Sequence, residues 1–234
     1  MELASVEGLN KRFGSRQVLR SVNFSVRPGE VLGLIGPNGS GKTTLLEVMA
    51  GLMPDDGGSV KFQSNSLKPD HRKDKLFYIP DGISPWSDQT VGWALKFFEG
   101  IYPSSLTRSP SLIGPLNLAP LLTSRIGSLS KGERKRFLLA LGLMTPHELL
   151  LLDEPFDGLD LKQTRDVMSL LRKRSPETRS LLLSIHQLTD AERVCDRLVL
   201  LSDGRIVGEG TLSELRKSTG LSDAGLEGIF LALT

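Results

Sequence analysis

Gly36-Pro37-Asn38-Gly39-Ser40-Gly41-Lys42-Thr43 follows the spacing G-x-x-x-x-G-K-[ST], which suits the holding of a phosphate chain. The glycines let backbone N–H groups turn inward on phosphate oxygens, and a helix N-terminus behind them adds positive dipole. Lys42 can then reach the β and γ positions while Thr43 offers its hydroxyl to Mg²⁺. Taken alone, the same residues could form a Gly-rich turn carrying an exposed lysine. Cleaving a phosphate tail also needs a carboxylate for the metal and a group that aligns water. Leu149-Leu150-Leu151-Leu152-Asp153-Glu154 carries both: Asp153 is expected to hold Mg²⁺ and Glu154 to polarise the attacking water. Without a phosphate-type loop elsewhere, two acids after four leucines would simply mark a strand entering a loop.

Leu129-Ser130-Lys131-Gly132-Glu133 supports two compatible readings. Ser130 and Glu133 have the spacing of a capping box ahead of an apolar helix. A helix start of that kind can also grip a phosphate, with Ser130 and Gly132 permitting close approach.

These residues need strands that end beside them and helices that begin behind them. Val31-Leu32-Gly33-Leu34-Ile35 predicts a buried strand before the loop, and residues 42–50 a helix that Gly51 can end. Buried strands are expected at 149–152 and 180–185, and amphipathic helices at about 162–174 and 190–197. Asp203-Gly204 between two apolar runs predicts a tight hairpin. Residues 18–26, closed by Arg27-Pro28-Gly29-Glu30, predict antiparallel sheet near the start of the chain. From about 84 to 123 the character changes, because Trp86, Trp93, Phe97, Phe98 and Tyr102 crowd together ahead of Pro103, Pro110, Pro115 and Pro120. This stretch predicts a mostly helical insertion. The fold class is α/β.

Composition limits what else the chain could be. Its 234 residues are 39% hydrophobic and 24% charged, which excludes the disordered and fibrous classes. The apolar run at 137–144 is far shorter than the ~18 residues of a membrane span, so any membrane involved must be crossed by another chain. The opening Met1-Glu2-Leu3-Ala4-Ser5-Val6-Glu7 lacks a basic segment and an apolar stretch, so a cytosolic chain is expected. The 29 basic and 27 acidic residues are well mixed and show no nucleic-acid footprint, so no nucleic-acid partner is expected. Cys195 is expected to be an inert thiol within a helix.

In order and spacing these motifs resemble the nucleotide-binding subunits of ATP-binding cassette transporters. The phosphate loop looks like that family's Walker A, Leu129-Ser130-x-Gly132 its signature and Asp153-Glu154 its Walker B. Gly158-Leu159-Asp160 looks like the D-loop and Ser184-Ile185-His186 the H-loop. The resemblance implies a P-loop NTPase core with a mostly parallel central sheet. It divides one ATPase domain spanning 1–234 into an antiparallel β-subdomain at about 1–30, a helical insertion at about 84–140 and the core. It places ATP against Phe13, Gly36, Pro37, Asn38, Gly39, Ser40, Gly41, Lys42, Thr43 and Thr44. Glu154 and His186 are implied as the catalytic residues. The signature residues Leu129, Ser130, Lys131, Gly132 and Glu133 are implied to act on the nucleotide of an opposing subunit, and Asp160 is implied as the D-loop residue. Phe13 would stack on adenine where the family usually has tyrosine; alone it would be a core aromatic.

Two departures accompany the resemblance. Asp81 stands where the family's Q-loop glutamine is expected, a shorter and charged side chain that could still meet Mg²⁺ through water. Lys131 and Glu133 stand where a second glycine and a glutamine are usual, although exporter-type members resemble this chain in carrying lysine there. The ending, Leu226 onward, is also similar to exporter-type subunits. The implied cofactors are ATP and Mg²⁺, and the implied partners are a second copy of the chain in a head-to-tail dimer and an integral-membrane permease at the cytoplasmic face of the membrane. A soluble ATPase of the superfamily, for example in iron–sulfur assembly, and a non-hydrolysing nucleotide-dependent regulator are the alternatives.

Overall fold

The computed structural model describes residues 2–103 and 109–234, so Met1 and positions 104–108 of the expected insertion lie outside the described residues. In chain order the elements are β1 (Ala4–Phe13), β2 (Arg16–Val26), β3 (Val31–Ile35), α1 (Lys42–Ala50), β4 (Ser59–Phe62), β5 (Asn65–Ser66), α2 (Pro69–Arg72) and β6 (Leu76–Ile79). They continue with α3 (Val91–Ile101), α4 (Ser109–Ile113), α5 (Lys131–Met144), β7 (Leu149–Asp153), α6 (Leu161–Thr178), β8 (Ser180–Ile185), α7 (Leu188–Val194), β9 (Arg197–Ser202), β10 (Arg205–Gly210), α8 (Leu212–Thr219) and α9 (Leu226–Leu233).

Two sheets organise these elements. The larger has the order β10-β9-β3-β8-β7-β6 and is parallel from β9 to β6, with β10 antiparallel on its edge. Its central strands β3, β7 and β8 are buried on both faces because both faces are covered. Leu32 and Leu34 of β3, Leu149 and Leu151 of β7, and Leu182 of β8 pack with Leu45, Leu46 and Met49 of α1 and with the antiparallel sheet. Their alternate neighbours Ile35, Leu150, Leu152, Leu181 and Leu183 pack on the opposite side with α5, α6 and α7. Each such leucine contributes roughly 1.5–3 kcal/mol on burial, so neither face can be left to water.

The smaller sheet is antiparallel, with the order β2-β1-β4-β5. It extends the expected N-terminal portion beyond residue 30. Val60 and Phe62 alternate inward on β4 and pair with Val6 and Ala4 of β1, a long-range partnership that a short, isolated apolar alternation does not announce.

The 190–197 helix expected from sequence is corrected. The helix is Leu188–Val194, and Arg197 already belongs to β9, where it pairs with Leu32. Asp196 fixes this boundary: its carboxylate accepts from the Val31 N–H at 2.8 Å and its own N–H donates to the Val31 carbonyl at 2.8 Å. Cys195 therefore closes the helix in extended backbone instead of lying within it. Burial pushes its thiol well above the ordinary range, which keeps it protonated and unreactive. The helix expected at 162–174 runs longer, from Leu161 to Thr178.

Candidate nucleotide site

Loop 36–41 joins β3 to α1, the two carboxylates leave the end of β7, and β8 lies between those strands. Three neighbouring C-terminal strand ends therefore meet at one edge, the place where α/β sheets bind ligands. Gly36 makes the loop possible, since a Cβ there would stand 2.2 Å from the Leu201 carbonyl oxygen. Gly41 caps α1 without a side-chain acceptor, so the first-turn N–H groups remain available to an anion.

Lys42 is buried at 6% exposure. Its ammonium donates to the Gly36 carbonyl at 2.8 Å and the Pro37 carbonyl at 3.3 Å, and lies 3.8 Å from Glu154 Oε1. Burial lowers its pKa, and the charges of Glu154 and Asp153 act in the opposite direction. A polyanion entering here would supply the counter-charge that burial has withdrawn from it.

Asp153 is buried and collects hydroxyl donors. Thr43 Oγ1 donates to Oδ2 at 2.9 Å, Tyr78 donates to the same oxygen at 3.4 Å, and Ser184 Oγ donates to Oδ1. The Tyr78 phenol is pushed far up by burial and then by the Asp153 charge, so it stays a donor. The neighbouring hydroxyl and carboxylate of Thr43 and Asp153 form an oxygen-only donor pair, which fits a hard cation such as Mg²⁺ completed by phosphate oxygens and water.

Glu154 follows with a backbone φ of 49°, a left-handed conformation that costs a non-glycine residue about 1–3 kcal/mol. The turn is held by the Glu154 N–H donating to Ser184 Oγ at 2.9 Å. It aims the carboxylate at Lys42 on one side and at His186, whose Nδ1 lies 2.6 Å from Oε2, on the other. This oxygen is placed to share a proton.

The sequence placed Ser184 in the H-loop motif without giving it a role, although a serine within the leucines of β8, fully buried in the fold, was a signal for one. Because β8 separates β3 from β7, one hydroxyl can serve both carboxylate residues. Ser184→Ala is expected to cost about 1–3 kcal/mol by stranding those partners. Denaturant titration measures it, and a midpoint equal to the parent's would refute the bridging role.

The remaining expected residues divide into two surfaces. A cleft of about 540 Å³ is lined by Phe13, Arg16, Val18, Asn38, Gly39, Gly41, Lys42, Thr43, Thr44, Asp81, Asp153 and Glu154. Phe13 is half exposed there and not a core aromatic; Lys11 Nζ lies 5.6 Å from its ring centroid. Arg16 was not among the expected residues. Ser40 is buried behind the loop, and Asp81 accepts from Lys135 Nζ at 2.6 Å.

The signature residues lie apart from this lining. Ser130 caps α5 in a complete capping box with Glu133, whose carboxyl is held below its usual range by the Ser130 N–H. Lys131 pairs with Asp157 at 2.5 Å. A Cβ on Gly132 would stand 2.6 Å from the Gly158 carbonyl oxygen, so the signature and the 158–160 turn seat directly against each other. Asp160 caps α6 through a second capping box with Gln163. Leu129 is buried beneath.

The strand–loop–helix with its lysine and the paired carboxylates at the neighbouring strand end define a P-loop nucleoside triphosphatase. The sequence profile of the ABC transporter family matches residues 19–157. The chain is 30% identical to the ABC-type transporter ATP-binding protein EcsA of Bacillus subtilis, covering 100% of this chain and 97% of that one. It is 32% identical to Nod factor export ATP-binding protein I of Burkholderia orbicola, over 93% and 74% of the two chains. Among solved structures, one described as the ATP binding subunit of an ABC transporter superposes with a TM-score of 0.91 at 30% identity, covering 99% of each chain. The chain belongs to the ABC transporter family as one of its ATP-binding subunits, and it is an ATPase. Subunits of this kind work with membrane components; among the described residues no helix is long and apolar enough to cross a membrane.

Proposed function

We propose that two copies of this chain close head to tail over two ATP molecules and drive a membrane permease, with hydrolysis reopening the pair. The carrying observation is that the expected residues of one chain fall into two separate sets. Lys42, Thr43, Asp153 and Glu154 line an assembled cleft, whereas the Ser130 helix end lies on a different surface. Lys42 and the α1 N-terminus hold the triphosphate of their own chain, and the α5 N-terminus of the second copy reaches the γ-phosphate from the far side. Phe13 stacks on adenine.

Thr43 and Asp153 are the residues that would hold Mg²⁺. When bound there, the ion neutralises charge on the β and γ oxygens. Glu154 accepts a proton from the attacking water, and His186 holds the carboxylate in line through Oε2. The bond from the γ-phosphorus to the bridging oxygen breaks, leaving ADP and phosphate. Loss of the γ-phosphate removes the shared anion, so the two copies separate.

The permease would dock on the aromatic face of α3. Trp93 and Phe97 stack with centroids 5.1 Å apart, Trp86 meets both edge-on, and all three are about 40% exposed. A cytoplasmic helix of a permease would cover this patch, placing the chain at the cytoplasmic face of the membrane. The α9 ending and the export named for the Burkholderia relative support outward transport. Trp93→Asp is expected to leave ATP binding within about twofold, since the patch lies apart from the cleft, and to abolish co-sedimentation with native membranes. Retained co-sedimentation would place the docking face elsewhere, and a parent chain absent from membrane fractions would defeat the permease reading.

A further inference from the structure

The loop leaving β6 brings a third carboxylate, Asp81, to the cleft beside Asp153 and Glu154. Free, it would repel a triphosphate or compete for its metal. It is not free. Asp81 Oδ1 accepts a charge-assisted hydrogen bond from Lys135 Nζ at 2.6 Å. Lys135 is buried at 6% exposure, and its ammonium also donates to the Asp153 carbonyl at 3.3 Å. Removing one partner of such a pair leaves the other without its counter-charge. One side chain on α5, five residues after Ser130, thereby ties the Asp81 loop and the last residue of β7 to the helix that begins at the signature.

We propose that Lys135 is a positioning residue of the nucleotide site: it commits Asp81 to an ion pair, which keeps that carboxylate off the triphosphate and off the metal, and it anchors the end of β7. This inference rests on the cleft binding ATP and revises the expectation that Asp81 serves Mg²⁺. A positioned Asp81 matters only through its charge, so it predicts a dependence on charge and not on metal.

The test is ATP affinity of the purified chain, with Mg²⁺ and with chelator, for Lys135→Gln, Asp81→Asn and the double variant. Glutamine can still donate to the Asp153 carbonyl, and asparagine can still accept from Lys135, so each change isolates a charge. Lys135→Gln is expected to weaken ATP binding about tenfold with or without Mg²⁺, by unmasking Asp81. Asp81→Asn is expected to bind as tightly as the parent or tighter, and the double variant to recover to within about threefold of the parent. A loss in Asp81→Asn that requires Mg²⁺ would make Asp81 a metal group and overturn the proposal. So would a Lys135→Gln with parental affinity, or a double variant as weak as Lys135→Gln. If Lys135→Gln does not fold, Asp81→Asn alone decides, since the two roles predict opposite results with Mg²⁺. Lys42→Ala serves as the control: if it binds ATP normally, the cleft assignment itself has failed, and if it alone loses binding, only the role of Lys135 has.

Discussion

Glu154→Gln is expected to cut ATP hydrolysis by about 10²–10⁴-fold while leaving ATP binding intact and trapping two chains together. The amide keeps the length and shape of the side chain, so the backbone turn at φ 49° and the Ser184 hydroxyl that holds it are undisturbed. What disappears is the carboxylate oxygen that His186 faces at 2.6 Å and that can accept a proton from water. Removing a negative charge 3.8 Å from Lys42 also favours a bound triphosphate, so affinity should not fall. With cleavage blocked, the γ-phosphate continues to bridge the two half-sites, and light scattering should report twice the chain mass with ATP and one chain mass without it. A variant that remains monomeric in ATP would remove the second copy from the proposal. Turnover within tenfold of the parent would remove Glu154 as the base.

Lys42→Ala should act one step earlier, lowering ATP affinity roughly ten- to hundredfold. Hydrogen bonds from a charged donor are worth about 1.5–3 kcal/mol, and each 1.4 kcal/mol is a factor of ten. The ammonium is buried among the cleft's own carbonyls with its pKa lowered by that burial, so an anion gains more from it than from a solvated lysine. Stability of the nucleotide-free chain should change little: relief of the buried charge opposes the loss of donors to the Gly36 and Pro37 carbonyls. Calorimetric titration with ATP beside a thermal melt separates the two effects. Unchanged affinity would count against the loop assignment, and a collapse in melting temperature would mean that Lys42 serves the fold first.

The contrast between these residues and Ser184 or Lys135 shows where sequence reasoning runs out. Lys42, Thr43, Asp153 and Glu154 lie in contiguous motifs whose spacing already implies chemistry. Ser184 and Lys135 matter because of what reaches them through space: Ser184 from 31 residues away to Asp153, and Lys135 from 54 residues away to Asp81. Neither spacing is periodic. The same limit explains β4, which joins the antiparallel sheet through pairing with β1 across the whole of α1, and the end of α7, which is set by the bonds of Asp196 to Val31 and not by helix propensity.

Local pattern alone determined the α/β class, the phosphate loop, the acid-ended strand, the capped helix at Ser130 and the Asp203-Gly204 hairpin, because each is written within about one turn or one strand of chain. Tertiary structure alone decided the order of the strands, and with it the insertion of β8 between β3 and β7 that lets one hydroxyl hold both carboxylate residues. It also decided that Asp81 meets a buried ammonium. Strand order and ion pairing are settled by burying both faces of a sheet and by satisfying charges withdrawn from water, and those energies depend on which distant segments come together.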